Sequence, residues 1–235
     1  MKILKRNFEH RNIIIFLIFS LIYLQAIFSL SFGISFFGVQ SLNALFKEHA
    51  LILVVAAYAI YAVIKVKKHS DKVLLVALCL ITGKNFILLS SSFNKLILAL
   101  NFIYLIFAFY FFVMWEMEIA KASYNPLFSS FDLEKEKRFA IKGTVQGGNL
   151  DPVVVYITNI DECSSFIYLP ENQIKLASGR DYLLKTNFEG VEFEHPARVV
   201  STYDNGYGLL LIRKPKSGPD WSDLYKVCLE RGLFV

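Results

Sequence analysis

VEFEHPARVVSTYDNGYGLLLI, residues 191 to 212, sets two runs rich in Val, Tyr, Leu and Ile on either side of Asn205-Gly206. A type I′ turn needs positive φ at both central positions, which Asn-Gly accepts readily, so the stretch predicts a β-hairpin with Asn205 and Gly206 at its tip. Pro196 cannot donate to a ladder, which predicts an edge or a bulge at that point. VVVYI (153–157), SFIYL (165–169) and DYLLKTNF (181–188) have the same β-branched and aromatic character, and turn residues separate them. Glu189-Gly190 is a second, weaker hairpin candidate. Six or so strands in under about a hundred residues predict a small, closed or nearly closed antiparallel barrel. After it, GPDWSDLYKVCLERGLFV (218–235) reads as one helix, with Pro219 or Ser222 near its start and Gly232 as its stop. Leu224, Val227 and Cys228 form an apolar face that would cover the barrel.

The N-terminal half is a different material. The chain has 235 residues, 55% of them hydrophobic, with positive mean hydropathy, and the apolarity is concentrated before about residue 118. That is too apolar for an ordinary soluble chain. From Asn12 to Phe46 there is no formal charge, and IIIFLIFSLIYLQAIFSLSF (13–32) opens a run longer than the ~20 residues that cross a bilayer. It is also too long for the apolar region of a signal peptide, ~7 to 15 residues. Further spans are expected over about Ala50–Ile64, Val73–Ser91 and Leu96–Trp115, making four. Lys2, Lys5, Arg6 and Arg11 precede the first span, and Lys65, Lys67, Lys68 and Lys72 fill the second loop, whereas Lys47 and Lys95 stand alone in the others. The positive-inside rule then places both termini in the cytoplasm. Tyr110, Phe111, Phe112 and Trp115 make an aromatic belt at that interface.

The net charge of +5 is accounted for by this topology, so no nucleic-acid polymer is expected as a partner. Cys79, Cys163 and Cys228 lack the paired spacing of a zinc site and are odd in number, so neither a metal nor a disulfide framework is expected. Lys84, with Asn85, interrupts the third span in LCLITGKNFILLSSS. An unpaired ammonium there costs ~2.5–3.5 kcal/mol on insertion scales. Lys84 and Asn85, with Asn101 or Gln25 opposite, define a candidate polar site for a partner subunit or a solute path; alternatively, Lys84 snorkels to the outer interface. The chain carries no recognisable nucleophile motif, Walker A or GxGxxG pattern, and the soluble half holds a single histidine, His195. No catalytic residue and no cofactor are assigned, and an enzyme is not expected.

The order of parts in the soluble half, KRFAIKGTV, VVVYITNIDECSSFIYL, IKLASGRDYLLKTNF and EFEHPARVVSTYDNGYGLLLI, resembles the PilZ domain, a bacterial six-stranded barrel that binds cyclic di-GMP. The likeness covers about residues 134 to 213. It divides the chain into a four-helix transmembrane domain (1–118), a linker (119–137) and a PilZ-like barrel domain with its C-terminal helix (138–235). The family opens on RxxxR, for which RFAIK supplies Arg138 and, in place of the second arginine, Lys142. Guanidinium pairs bidentately with phosphate and stacks on guanine, and lysine supplies charge without that planar fork. The family's second motif, [DN]xSxxG, is matched by NIDECS: Asn159 is retained, Asp161 replaces the serine and Ser164 the glycine. The resemblance implies a cyclic di-GMP site at Arg138, Lys142, Asn159, Asp161 and Ser164, although three of the five motif positions depart from the pattern. Without a ligand role, Arg138 and Lys142 are a basic collar near anionic lipid, and Asn159 and Asp161 make an Asx turn.

The function implied is that of a receptor or adaptor in the bacterial inner membrane. It would bind cyclic di-GMP, or relay its signal, to a membrane machine for exopolysaccharide synthesis, motility or pili, through a membrane-protein partner. The alternative is a non-nucleotide-binding scaffold or accessory subunit of a transporter or synthase. A third reading, a resemblance to membrane-tethered OB-fold proteins of the NfeD type, rests on KGTVQGG alone.

Overall fold

Val191–Tyr203 and Gly206–Leu211 pair as the expected hairpin, with Gly206 in its second strand and not in the turn. The computed structural model describes residues 2–3, 8–67, 69–124, 140–147, 151–170, 175–177, 180–203, 205–212 and 219–233. Tyr203 pairs with Gly206, so Gly206 already belongs to the second strand, without a positive φ. What Gly206 provides is room: a Cβ there would come 2.5 Å from the Phe166 ring. The weaker candidate is the turn with the conformation expected of a primed type, because Glu189 (φ 52°) and Gly190 (φ 84°) both lie in the left-handed region.

The chain divides into two compact units, Asn7–Glu118 and a second made from Met1–Arg6 with Ile119–Val235. The second contains strands β1 (Lys2–Ile3), β2 (Ile141–Gln146), β3 (Val153–Ile160), β4 (Ser164–Tyr168), β5 (Asp181–Phe188), β6 (Val191–Tyr203) and β7 (Gly206–Leu211), followed by helix α6 (Trp221–Glu230). All pairings are antiparallel. The order β6-β5-β2-β3-β4-β7 closes through β6–β7 into a six-stranded barrel, and β1 adds outside it, against Ser201 and Thr202 of β6. Pro196 lies at the rung where β7 ends: its carbonyl accepts from Ile212 N–H at 2.8 Å, and a bulge follows between Val199 and Ser201. The missing donor therefore falls at the end of a ladder in a strand that is not itself an edge.

Alternation sends Val155, Ile157, Ile167, Leu184, Val199 and Leu209 inward, where Trp221, Leu224 and Cys228 of α6 meet them. Asp220 caps this helix in a reciprocal box with Asp223. Gly232 (φ 67°) stops it, as expected. Trp221 takes the buried place expected of Val227, which is half-buried. His195 of β6 faces Asp220 at 3.4 Å, and Arg231 pairs with Glu189 at 2.9 Å, so both ends of the helix are tied to β6 or the turn before it.

The first unit is helical: α1 (Phe8–Phe32), α2 (Val39–Glu48), α3 (Ala50–Ile64), α4 (Ser70–Ser92) and α5 (Lys95–Ile119). Three helices are long and apolar enough to cross a membrane, His10–Phe32, Ser70–Ser92 and Lys95–Ile119; α2 and α3 pass together as a pair bent by 73°, giving up to four. The second expected span is thus part of a broken element, with α2 before it. Small residues Ala56, Ala59 and Ala62 bury one face of α3 completely. Phe93 (φ 41°) ends α4, and Asn94 Oδ1 accepts from Leu96 N–H at 2.9 Å to start α5. Aromatic rings fill the space between α1 and α5: Tyr23 stacks on Tyr104 (4.7 Å) and Phe16 on Phe111 (4.4 Å).

Candidate functional site

The β3–β4 connection carries Asp161, and its side chain organises the surroundings. Asp161 Oδ1 accepts from the N–H groups of Cys163 (2.8 Å) and Ser164, which is the Asx turn. Oδ2 accepts from the Ser164 hydroxyl (2.6 Å) and from Ala122 N–H (2.7 Å). Ser164 Oγ in turn accepts from Ser123 N–H at 2.9 Å, and Ser201 Oγ–H of β6 donates to Ser123 O at 2.6 Å. The segment that follows α5, Ala122–Tyr124, is therefore strapped onto the outside of the barrel, and all three of its residues are buried. Gly208 of β7 lies beneath it. A Cβ at that position would come 1.9 Å from Ser123 O and 2.2 Å from Ser201 Oγ, so the strap requires glycine there. Ser201 is a junction, since Ile3 of β1 pairs with the same residue.

Beside the strap lies a second apolar cluster, formed by outward side chains: Phe166 and Tyr168 of β4, packed with Tyr156 of β3 and Tyr203. The register runs Lys142, Tyr156, Tyr168, Gly206, Tyr203 across β2, β3, β4, β7 and β6. A lysine thus stands at one end of an aromatic belt.

The five residues assigned to a dinucleotide fall in different settings. Arg138 lies outside the described residues, as does the linker from residue 125 to 137. Lys142 is exposed on β2; its carbonyl accepts from Thr186 Oγ1–H at 2.9 Å, and its side chain lines an open groove of about 340 Å³ with Thr144, Lys185, Asn187, Glu192 and Glu194. Lys185 is paired with Glu194 at 3.3 Å. Asn159 is half-buried opposite Phe166, three residues beyond the partner of Lys142 and so about 10 Å further along β3. Asp161 and Ser164 come together, with their side chains engaged by the strap. The carboxylate already accepts four donors of its own chain, and Ser164 is 1% exposed. The role of Ser201 and the strap was not legible from motif spacing. Gly208, a glycine inside a strand, was the available signal of close backbone approach.

In the helical unit, Asn85 and Asn101 are brought together: Asn101 Nδ2–H donates to Asn85 O at 3.4 Å, and Tyr23 Oη–H donates to Asn101 Oδ1 at 2.9 Å. Lys84 is half-buried beside them in sequence.

No family model and no curated protein matches this chain. Among solved structures, the chain is similar to the PilZ domain of CeSA from a cellulose synthesizing bacterium, at 14% identity and a TM-score of 0.32, over 40% of this chain and 92% of that one.

Proposed function

We propose that this protein is a membrane-tethered receptor or adaptor, resident in a bacterial inner membrane with both termini cytoplasmic, in which a PilZ-like barrel relays cyclic di-GMP signals to a membrane-protein partner. The observation that carries the reading is the strap. The chain leaving α5 is fastened to the barrel through Asp161, Ser164 and Ser201, and the residues preceding α1 pair with Ser201 as well. A change at the β3–β4 connection would reach the segment that leads to α5, and release or ordering of such a segment is the kind of output a relay needs. Lys142 at the end of the aromatic belt offers charge beside stacking surface, a combination suited to a phosphate and a base.

A second reading, a scaffold that binds no nucleotide, is favoured by the Asp161 carboxylate, whose oxygens are taken by the chain itself. In either case the reading is of binding rather than catalysis, supported by His195 serving to hold α6 through Asp220. Calorimetric titration of cyclic di-GMP into the full chain in detergent, with Arg138→Ala as control, separates the two. Saturable heat that is lost in the control is expected of the receptor. No heat, together with no thermal stabilisation, would leave the scaffold.

A further inference from the structure

Several polar side chains of the helical unit gather in two layers. In one, Trp115 Nε1–H donates to Ser70 Oγ at 3.2 Å and the His10 ring meets the Trp115 ring edge-on at 5.1 Å, joining α1, α4 and α5. Tyr23, Gln25, Asn85 and Asn101 come about 13 to 15 residues along their helices from that tie, which at about 1.5 Å per residue places them in a common layer roughly 20 Å away. Tyr23, Asn101 and Asn85 are linked as described above. On another flank of α1, about 200° round the helix from Tyr23, Gln25 Nε2–H donates to Ser41 Oγ, and the Ser41 and Ser29 hydroxyls are 2.9 Å apart.

This second layer is incompletely bonded from within. Asn85 is 1% exposed, yet among the described residues neither its amide nitrogen nor its amide oxygen has a partner, and Gln25 Oε1, on a residue 3% exposed, has none. In a bilayer each such atom costs several kcal/mol, and buried polar groups are paired once bound water is counted. The side chain cannot turn to lipid without the same loss. We propose that the layer around Asn85 is a binding site for a small neutral hydrogen-bonding molecule, water or a solute of similar size, held between α1, α4 and α5. An amide must both accept and donate, which matches a neutral dipole, and Lys84, next along α4, disfavours a cation. The inference rests on the reading that these helices cross a membrane, and it gives the helical unit a role beyond anchoring.

Thiol accessibility tests it on the full chain in lipid vesicles, with Cys79, Cys163 and Cys228 replaced by alanine. Asn85→Cys is compared with Ile87→Cys, which sits at nearly the same level on the other side of α4 and is 62% exposed in the structure. The probe is a small neutral hydrophilic methanethiosulfonate, which reacts with the thiolate and therefore needs water at the site. Asn85→Cys is expected to react at least about tenfold faster than Ile87→Cys. Two inert cysteines would overturn the site and leave the membrane reading standing. Two equally reactive ones would overturn both, because the surface at Ile87 would then be in water. Asn101→Cys, in the same hydrogen-bonded group, provides the comparison if Asn85→Cys does not fold.

Discussion

Replacing Asp161 by alanine removes the acceptor of four hydrogen bonds at once, and the structure indicates how much that costs. The N–H of exposed Cys163 can turn to water at little loss. The Ser164 N–H and hydroxyl and the Ala122 N–H belong to residues at most 7% exposed, and they lose a charged acceptor with no replacement. A hydrogen bond to a charged group contributes about 1.5–3 kcal/mol. Asp161 itself is half-buried, so the lower end applies, and for the strap alone we expect a loss of about 2 kcal/mol. That is about a thirtyfold increase in local opening, since 1.4 kcal/mol is tenfold. Hydrogen exchange of the full chain in detergent reads it directly: the Ala122 and Ser123 amides should exchange about thirtyfold faster, while those of β2 and β5 keep their rates. Asp161→Asn keeps one carbonyl acceptor and should fall between the two. Unchanged exchange at Ala122 and Ser123 in the alanine variant would refute the assignment of Asp161 as the anchor. Uniform acceleration across the barrel would show instead that the Asx turn, and not the strap, was what the carboxylate held.

Gly208→Ala forces a methyl group against Ser123 and should destabilise the barrel unit by about 1–3 kcal/mol, read as a lower denaturant midpoint with faster exchange at Ser123. Trp221→Ala, at a residue 1% exposed in the core, should cost about 3–5 kcal/mol by the same measurement, whereas Arg231→Ala, which breaks an exposed pair, should cost no more than about 1 kcal/mol. Burial, with the charge of Glu189 second, pushes the Cys228 thiol up. Its contribution to stability is therefore complete below the unfolded thiol's range, near pH 8.5, and is lost as pH rises through the higher folded value. At pH 8 the folded protein should alkylate at exposed Cys163 and spare Cys228, and equal labelling of the two would contradict the burial.

The barrel, its closing helix and the apolar helices before them were legible in the sequence alone. These features follow from period and composition, which are local: an apolar run long enough to span, a period of two, a glycine after a short amphipathic helix. The sequence also put Asn85 and Asn101 in one candidate site, and in the structure Asn101 reaches the backbone carbonyl of Asn85, not its side chain. Turn positions were legible only to within a residue. Asn205-Gly206 carried the strongest turn signal, but Gly206 is a glycine because the Phe166 ring lies against it, a long-range contact that no dipeptide rule contains. What Asp161 and Ser164 bond to could be read only from the tertiary structure. Their spacing suits a ligand motif and an Asx turn equally well, and the choice depends on what is brought opposite. That turned out to be the backbone of Ala122 and Ser123, about forty residues earlier in the chain and held there by Ser201 from a third place. Motif spacing records which side chains one strand connection presents. Which donors meet them is fixed by closure of the barrel, and that depends on every strand pairing at once.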